Sequence, residues 1–190
     1  IKVIGKNAFV QVFESTRGMR VGDEAEFEGH MLEVTLGPGM LSRNYDGLQN
    51  DLDKMEGVFL RRGEYTFPLD NDKLWDFKPL AKVGDKVAAG GWLGEVDENF
   101  QPHKIMVPFT FKGEYTVKSL KEAGQYTIGE VIAVLTDETG KDVEVTMIQR
   151  WPVKRAITCY KEKPRPYKLL ETGVRTIDTV NPIVEGGTGF

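Results

Sequence analysis

The sequence is poor in the residues that usually carry metal, redox or nucleophilic chemistry. Of its 190 residues one is cysteine, Cys159, and two are histidine, His30 and His103. A single cysteine excludes an intrachain disulfide, which fits a reducing compartment. Cys159 has only the cations Lys154, Arg155, Lys161 and Lys163 nearby and no base beside it, so it reads as an ordinary thiol. His30 and His103 stand far apart, with no second His or Cys at ligand spacing, so each reads as a surface or hydrogen-bonded residue and no metal site is expected. No Gly-x-Ser-x-Gly elbow is present. No apolar run is long enough to cross a bilayer, which argues against direct membrane insertion. There is no signal peptide, and the first residue is Ile1 rather than Met, so the span from Ile1 to Phe190 is expected to be a piece of a longer protein. Charge of one sign is also lacking. With 25 basic and 29 acidic residues the net charge is -4, which gives no broad attraction for nucleic acid.

What is present is β texture. Hydrophobic residues make up 40% and charged residues 28%, a balance that supports a packed core, and 21 glycines punctuate short alternating runs. Residues 8–13, 22–27 and 31–36 read as closely spaced strands. A turn is expected at Glu28-Gly29, and Gly37-Pro38-Gly39 stops the third run, as in a small barrel or meander. Leu48, Leu52 and Met55 fall at i, i+4 and i+7, which predicts a short helix capped by Asp46 and ended by Gly57.

Residues 57–146 read as a separate β module. Its candidate strands are 57–60, 86–88, 92–96, 104–107, 113–118 and 130–135. The last is expected to pair with 143–148 across the polar turn 136–141, where Gly140 is available for positive φ. From Trp151 the chain becomes basic and proline-rich, with Pro152, Pro164 and Pro166, and reads as an extended connector. Residues 172–180 are expected to form a short helix.

Two glycine clusters, Gly37-Pro38-Gly39 and Gly186-Gly187-Thr188-Gly189, invite a phosphate-cradle reading. Neither meets the requirement for Gly, four residues, then Gly-Lys-Ser/Thr, so each reads as a turn. Val83-Gly84-Asp85-Lys86-Val87, Gly91-Trp92-Leu93-Gly94 and Ile105-Met106-Val107-Pro108 resemble the turn-and-strand pattern of biotinyl and lipoyl carrier domains. A carrier presents a modified lysine at a hairpin tip. Lys104 is the nearby lysine, but it stands in His103-Lys104-Ile105-Met106 rather than in a carrier motif, so it reads as structural. The pattern implies a barrel-sandwich fold without implying the carrier function.

Four stretches in register carry a more specific resemblance. The first is Val10-Gln11-Val12-Phe13-Glu14-Ser15-Thr16-Arg17-Gly18. The second is Leu36-Gly37-Pro38-Gly39-Met40-Leu41 with Asn44-Tyr45-Asp46-Gly47-Leu48-Gln49. The third is Leu74-Trp75-Asp76-Phe77-Lys78-Pro79 with Val83-Gly84-Asp85 and His103-Lys104-Ile105-Met106-Val107-Pro108. The fourth is Met147 to Val153, then Arg165-Pro166, Thr172-Gly173, Arg175, Ile177-Asp178 and Gly186-Gly187-Thr188. Together they resemble the catalytic A subunit of V-type and archaeal-type rotary ATPases over nearly the whole chain. Val174, Asn181, Glu185 and Lys154 depart from the family pattern at positions not expected to do chemistry.

The resemblance implies a mainly β fold in three parts. Residues 1–31 would end an N-terminal β-barrel, 57–146 would be an inserted β module resembling a barrel-sandwich hybrid, and 32–56 with 147–190 would begin an α/β nucleotide-binding domain. It implies a parent protein that hydrolyses or makes ATP, with ATP/ADP and Mg2+, coupled to proton or sodium ion transport. The expected partners are B subunits of an alternating hexamer and the central-stalk and peripheral-stalk subunits. The expected place is cytoplasmic, peripheral on the membrane through the ion-translocating sector. Gly186, Gly187 and Thr188 would lead toward a P-loop lying beyond Phe190, so no catalytic or cofactor-binding residue is expected in this stretch, which would be inactive alone. Arg175 and Asp178 are candidates to brace the approach to the nucleotide, or to form a structural ion pair. Trp75, Phe77, Trp92, Phe100, Phe109 and Phe111 are candidate docking aromatics, most of them expected to fill the module's core. A non-catalytic β interaction module and a biotinyl/lipoyl-like carrier domain remain the alternatives.

Overall fold

The structure, a computed structural model, describes residues 2–27, 29–55, 57, 63–160, 162–163 and 165–187. It forms two compact units, Ile1–Ile157 and Thr158–Phe190. The first unit opens with a hairpin of β1 (Lys2–Ile4) and β2 (Asn7–Phe9), paired antiparallel from Lys2↔Phe9 to Ile4↔Asn7. The strands expected over 8–13 and 22–27 do not extend as read, and residues 10–27 contain no strand. Val10, Val12, Phe13 and Phe27 are all exposed. Alternation makes a strand only where a neighbour supplies ladder hydrogen bonds, and no described residue does so here. Glu28 and residues 58–60 of the expected strand at 57–60 lie outside the described residues.

The third expected strand forms as β3 (Glu33–Leu36). The helix expected over residues 48–55 is instead an irregular turn followed by a single 3-10 turn, Leu52–Lys54. Asp46 does not cap that turn. Its Oδ1 accepts from the backbone N–H of Leu48 and Asn50, and its Oδ2 accepts from the Asn50 side chain. These side-chain bonds offer the backbone an alternative to helix, and Gln49 takes a left-handed φ of 65° that interrupts one. Asp51 caps the 3-10 turn, accepting from the Asp53 N–H.

The β module consists of β4 (Leu74–Pro79), β5 (Lys86–Val87), β6 (Trp92–Glu98), β7 (Gln101–Met106), β8 (Tyr115–Leu120), β9 (Gly124–Thr127), β10 (Ala133–Thr136) and β11 (Asp142–Val145). They form two four-stranded sheets, β7-β6-β4-β9 and β11-β10-β8-β5. The expected hairpin is present as β10–β11, with Leu135↔Val143 and Thr136↔Asp142 flanking a turn in which Gly140 has φ 86°. Strands β4 and β9 are additional to those expected from the sequence.

In β4 the alternation is clean: Trp75 and Phe77 are buried, Leu74, Asp76 and Lys78 exposed. Trp75 and Phe77 join Leu69, Val96, Ile105, Ile128, Ile132 and Met147 in one core cluster. Leu93, Val107, Val117, Ala133, Leu135 and Val145 form a second. Full burial of side chains of this size contributes about 1.5–3 kcal/mol each. A bulge in β6 lets one strand serve both cores. Trp92 pairs with Met106 and Gly94 with Ile105, which leaves Leu93 as the extra residue. Leu93 packs in the second cluster while Val96 packs in the first, and the Leu93 carbonyl accepts from the N–H of Leu80 and Ala81.

The connector expected from Trp151 has its first two residues in a strand. β12 (Gln149–Pro152) pairs antiparallel with β3 from Gln149↔Leu36 to Pro152↔Glu33. Trp151 is buried there, its indole N–H donating to the Arg155 carbonyl at 2.7 Å and its ring meeting Phe109 edge-on at 5.7 Å. In the second unit the expected helix is shorter than read, α1 (Arg175–Val180), beside an isolated bridge Leu169↔Val184.

Candidate functional site

Strands β6 and β7 are closed by the two residues Asn99 and Phe100, with φ of 52° and 65°. Two left-handed residues between paired strands give the type I′ geometry, whose twist matches that of the strands. Glu98, the last residue of β6, is buried. A buried carboxylate is costly unless donors surround it, and three do. Its Oε1 accepts from the N–H of Gly39 at 2.7 Å and of Leu41 at 3.0 Å, and its Oε2 lies 2.8 Å from His103 Nδ1. Asn99 adds a fourth tie, donating from Nδ2 to Ser42 Oγ at 3.1 Å. The hairpin tip is thus fastened to the loop 37–42.

These contacts settle what two sequence motifs do. Two of the loop N–H groups that might have cradled a phosphate beside Gly37-Pro38-Gly39 are spent on Glu98. Gly39 needs φ of 103°, and a side chain on Gly37 would meet Ile148 Cγ2 at 2.7 Å. His103 is a hydrogen-bonded histidine, as its sequence context suggested. His30 is exposed and lies 3.0 Å from the Met31 carbonyl. Glu98 was missed in the sequence because its loop partners lie 59 and 57 residues away. The available signal was the Asn at a two-residue gap between alternating segments.

The lysine of the carrier pattern is not at a tip. Lys104 stands within β7, paired with Glu95 across to β6, its ammonium 5.0 Å from the centre of the Trp92 ring. The hydrogen bond from Lys104 holds the Glu95 carboxyl below its ordinary range. The tip carries Asn99 and Phe100, so this hairpin presents no lysine for modification.

The candidate aromatics divide. Trp75 and Phe77 are core, Phe109 and Phe111 are half-buried against Trp151 and Tyr115, and Trp92 and Phe100 are exposed. Phe100 is 99% exposed, at the tip that Glu98 and Asn99 fix.

In the second unit Asp178 does not pair with Arg175. Its Oδ1 accepts from the Thr172 hydroxyl at 2.6 Å and the Thr172 N–H at 3.1 Å, and its Oδ2 from the Gly173 N–H at 3.1 Å. The Thr172 hydroxyl, then these N–H groups, hold the Asp178 carboxyl below its usual value. The Asp178 carboxylate therefore fastens the chain entering α1, which explains why the helix starts at Arg175. Arg175 is exposed, and its carbonyl accepts from the Thr179 hydroxyl.

Gly186 has φ of 77°, and the Gly187 N–H is used by the Val184 carbonyl at 2.9 Å. Thr188 and Phe190 lie outside the described residues. That turn N–H is therefore committed, and among the described residues no three His, Cys, Asp or Glu cluster to hold a cation. The described residues do not fit a magnesium–nucleotide site. Among them, no helix is long and apolar enough to cross a membrane.

Residues 66–154 match the family model of the ATPsynthase alpha/beta subunit barrel-sandwich domain. Over 99% of its length the chain is 47% identical to a V-type ATP synthase alpha chain of Treponema denticola, and 47% identical to one of Borrelia garinii subsp. bavariensis. It is 44% identical to that of Protochlamydia amoebophila, also over 99% of its length. The chain spans about a third of the length of these curated relatives, 32%, 33% and 32% in turn.

Proposed function

We propose that this chain, whose residues 66–154 match the family model of the ATPsynthase alpha/beta subunit barrel-sandwich domain, is a structural stretch of the catalytic alpha chain of a rotary ATPase. The observation that carries the reading is near-complete coverage of the chain by alpha chains of V-type ATP synthases at 44–47% identity. The parent protein hydrolyses or makes ATP, binds nucleotide with magnesium, and couples turnover to proton or sodium ion movement. It alternates with B subunits around a central stalk, is braced by a peripheral stalk, and lies on the cytoplasmic side of the membrane without entering it.

Within that frame residues 1–31 end an N-terminal barrel, 57–146 form the inserted module, and 32–56 with 147–190 open the nucleotide-binding domain. The pairing of β3 with β12 supports this order, because it brings Leu36 beside Gln149 on either side of the module. Gly186, Gly187 and Thr188 lead toward the phosphate loop, while Arg175 and Asp178 shape the approach to it. What this stretch contributes is rigidity. The double core and the Glu98 ties hold the module in fixed relation to the loop 37–42.

The test is ATP turnover by the purified 190-residue chain with magnesium. No phosphate release above background is expected. Sustained turnover that tracks the chain through purification contradicts the structural assignment.

A further inference from the structure

Asp46 and Gly47 form a dipeptide prone to aspartate isomerisation, because glycine places no side chain beside its own backbone nitrogen. The Gly47 nitrogen attacks the Asp46 carboxyl carbon, the new C–N bond replaces a C–O bond, and the displaced oxygen leaves as water with the amide proton. Water then opens the five-membered ring at either carbonyl. One opening restores aspartate. The other routes the main chain through the former side chain, one methylene longer, and leaves the carboxylate on the former backbone carbon. Solvent is the only co-reactant. Gly47 is exposed, its φ is not left-handed, and a Cβ built on it would meet nothing within 4 Å. Packing around Gly47 therefore raises no barrier.

The barrier lies in the hydrogen bonds of the electrophile. Asp46 Oδ1 accepts from the N–H of Leu48 at 2.9 Å and of Asn50 at 2.8 Å, and its Oδ2 accepts from Asn50 Nδ2 at 2.8 Å. The backbone closes the same turn, with the Asp46 N–H donating to the Asn50 carbonyl at 3.2 Å and the Gln49 N–H to the Asp46 carbonyl at 3.1 Å. Asn50 is 4% exposed, and its Oδ1 accepts from the Thr66 N–H at 3.0 Å. Ring closure turns the carboxyl onto the Gly47 nitrogen and removes one of its oxygens, so these ties must break first. Burial pushes the Asp46 carboxyl up, but the hydrogen bonds prevail and hold it below its ordinary value. It therefore stays ionised further into acid, and the ionised form is the poorer electrophile.

We propose that Asp46–Gly47 is a latent isoaspartate site, held shut by the turn 46–50 and opened by local unfolding of that turn. The isomerised linkage is a trap. Its extra methylene and displaced carboxylate no longer match the donors on Leu48 and Asn50, so the turn does not re-form. Asn50 then loses the partner that orients it toward Thr66, and the loop is released from the segment that leads into β4.

The test is peptide mapping of the purified 190-residue chain after incubation at mildly acidic pH, folded and in urea. Cleavage after Arg43 and Lys54 releases the peptide 44–54. Isomerisation shifts its retention without changing its mass, and fragment ions place the altered residue. The expected product is isoaspartate at position 46, forming about tenfold more slowly in the folded chain than in urea. Asn50→Ala should recover most of that difference in the folded chain, and Gly47→Ala should slow the reaction in urea. A second measurement needs no substitution. As urea rises below the unfolding midpoint, hydrogen exchange at the Asn50 N–H and isomerisation should accelerate together. Equal rates folded and in urea overturn the proposal, as does isomerisation placed at Asp51 or Asp53 in place of Asp46. So does a folded Asn50→Ala chain that reacts no faster, or isomerisation that waits for global unfolding while the Asn50 N–H exchanges.

Discussion

The ring of Phe77 occupies the space in which a side chain on Gly94 would lie. A Cβ at position 94 would stand 2.2 Å from Phe77 Cε2, 2.4 Å from its Cζ and 2.8 Å from the Lys78 carbonyl oxygen. Strand β6 can pass under the ring because position 94 has no side chain, and β4 then seats Phe77 at the centre of the first core. Gly94→Ala is expected to destabilise the chain by about 1–3 kcal/mol through overpacking. The urea midpoint should fall with an unchanged m-value; an unaltered midpoint would show that the ring moves aside freely.

Glu98 supports a second prediction. Glu98→Ala removes the acceptor for two backbone N–H groups and for His103, and is expected to cost about 3–5 kcal/mol. Glu98→Gln keeps one carbonyl oxygen and should cost less. Denaturant unfolding of both variants checks the order, and hydrogen exchange at Gly39 and Leu41 should accelerate before that of the β10–β11 hairpin.

Phe100→Gly is expected to stabilise the isolated chain by about 1 kcal/mol, since glycine adopts left-handed φ without penalty and no buried ring is lost. Thermal unfolding should show a higher midpoint. A lower midpoint would mean that the ring contributes packing within the chain.

Acid sensitivity should localise in part to Asp46. Burial pushes its carboxyl up, but hydrogen bonds from the Asn50 side chain and from the N–H groups of Asn50 and Leu48 prevail and hold it below the ordinary value. A depressed folded-state pKa contributes stability above the unfolded carboxylate value of about 4, and that contribution is lost as pH falls through the folded value. Asp46→Asn should therefore lower the urea midpoint at pH 6 and flatten its decline as pH falls below the ordinary carboxylate value of about 4. Parallel curves for the two proteins would contradict this.

The sequence made legible those elements whose partners are close along the chain. The β10–β11 hairpin could be read because the glycine-bearing turn 136–141 separates two apolar runs. β4 is harder to read, because only Trp75 and Phe77 mark its buried face, Leu74 beside them is apolar yet exposed, and its pairing strands β6 and β9 lie far along the chain. The helix expected at 48–55 failed because Asp46 and Asn50 capture the backbone with their side chains. The strands expected at 8–13 and 22–27 failed because alternation does not supply a pairing neighbour. Of the candidate site, the motif at Gly37-Pro38-Gly39 was visible, but its partner Glu98 was not, since only the folded β6–β7 hairpin brings the two together.

The most direct test of the central claim is affinity purification, from detergent-solubilised host membranes, of the protein that carries this sequence, followed by an ATP hydrolysis assay of the eluate. The account predicts a large membrane-derived complex with magnesium-dependent ATP hydrolysis and a second, similarly abundant subunit in equal ratio. Recovery of the protein alone, without ATP hydrolysis, would contradict its assignment to a rotary ATPase.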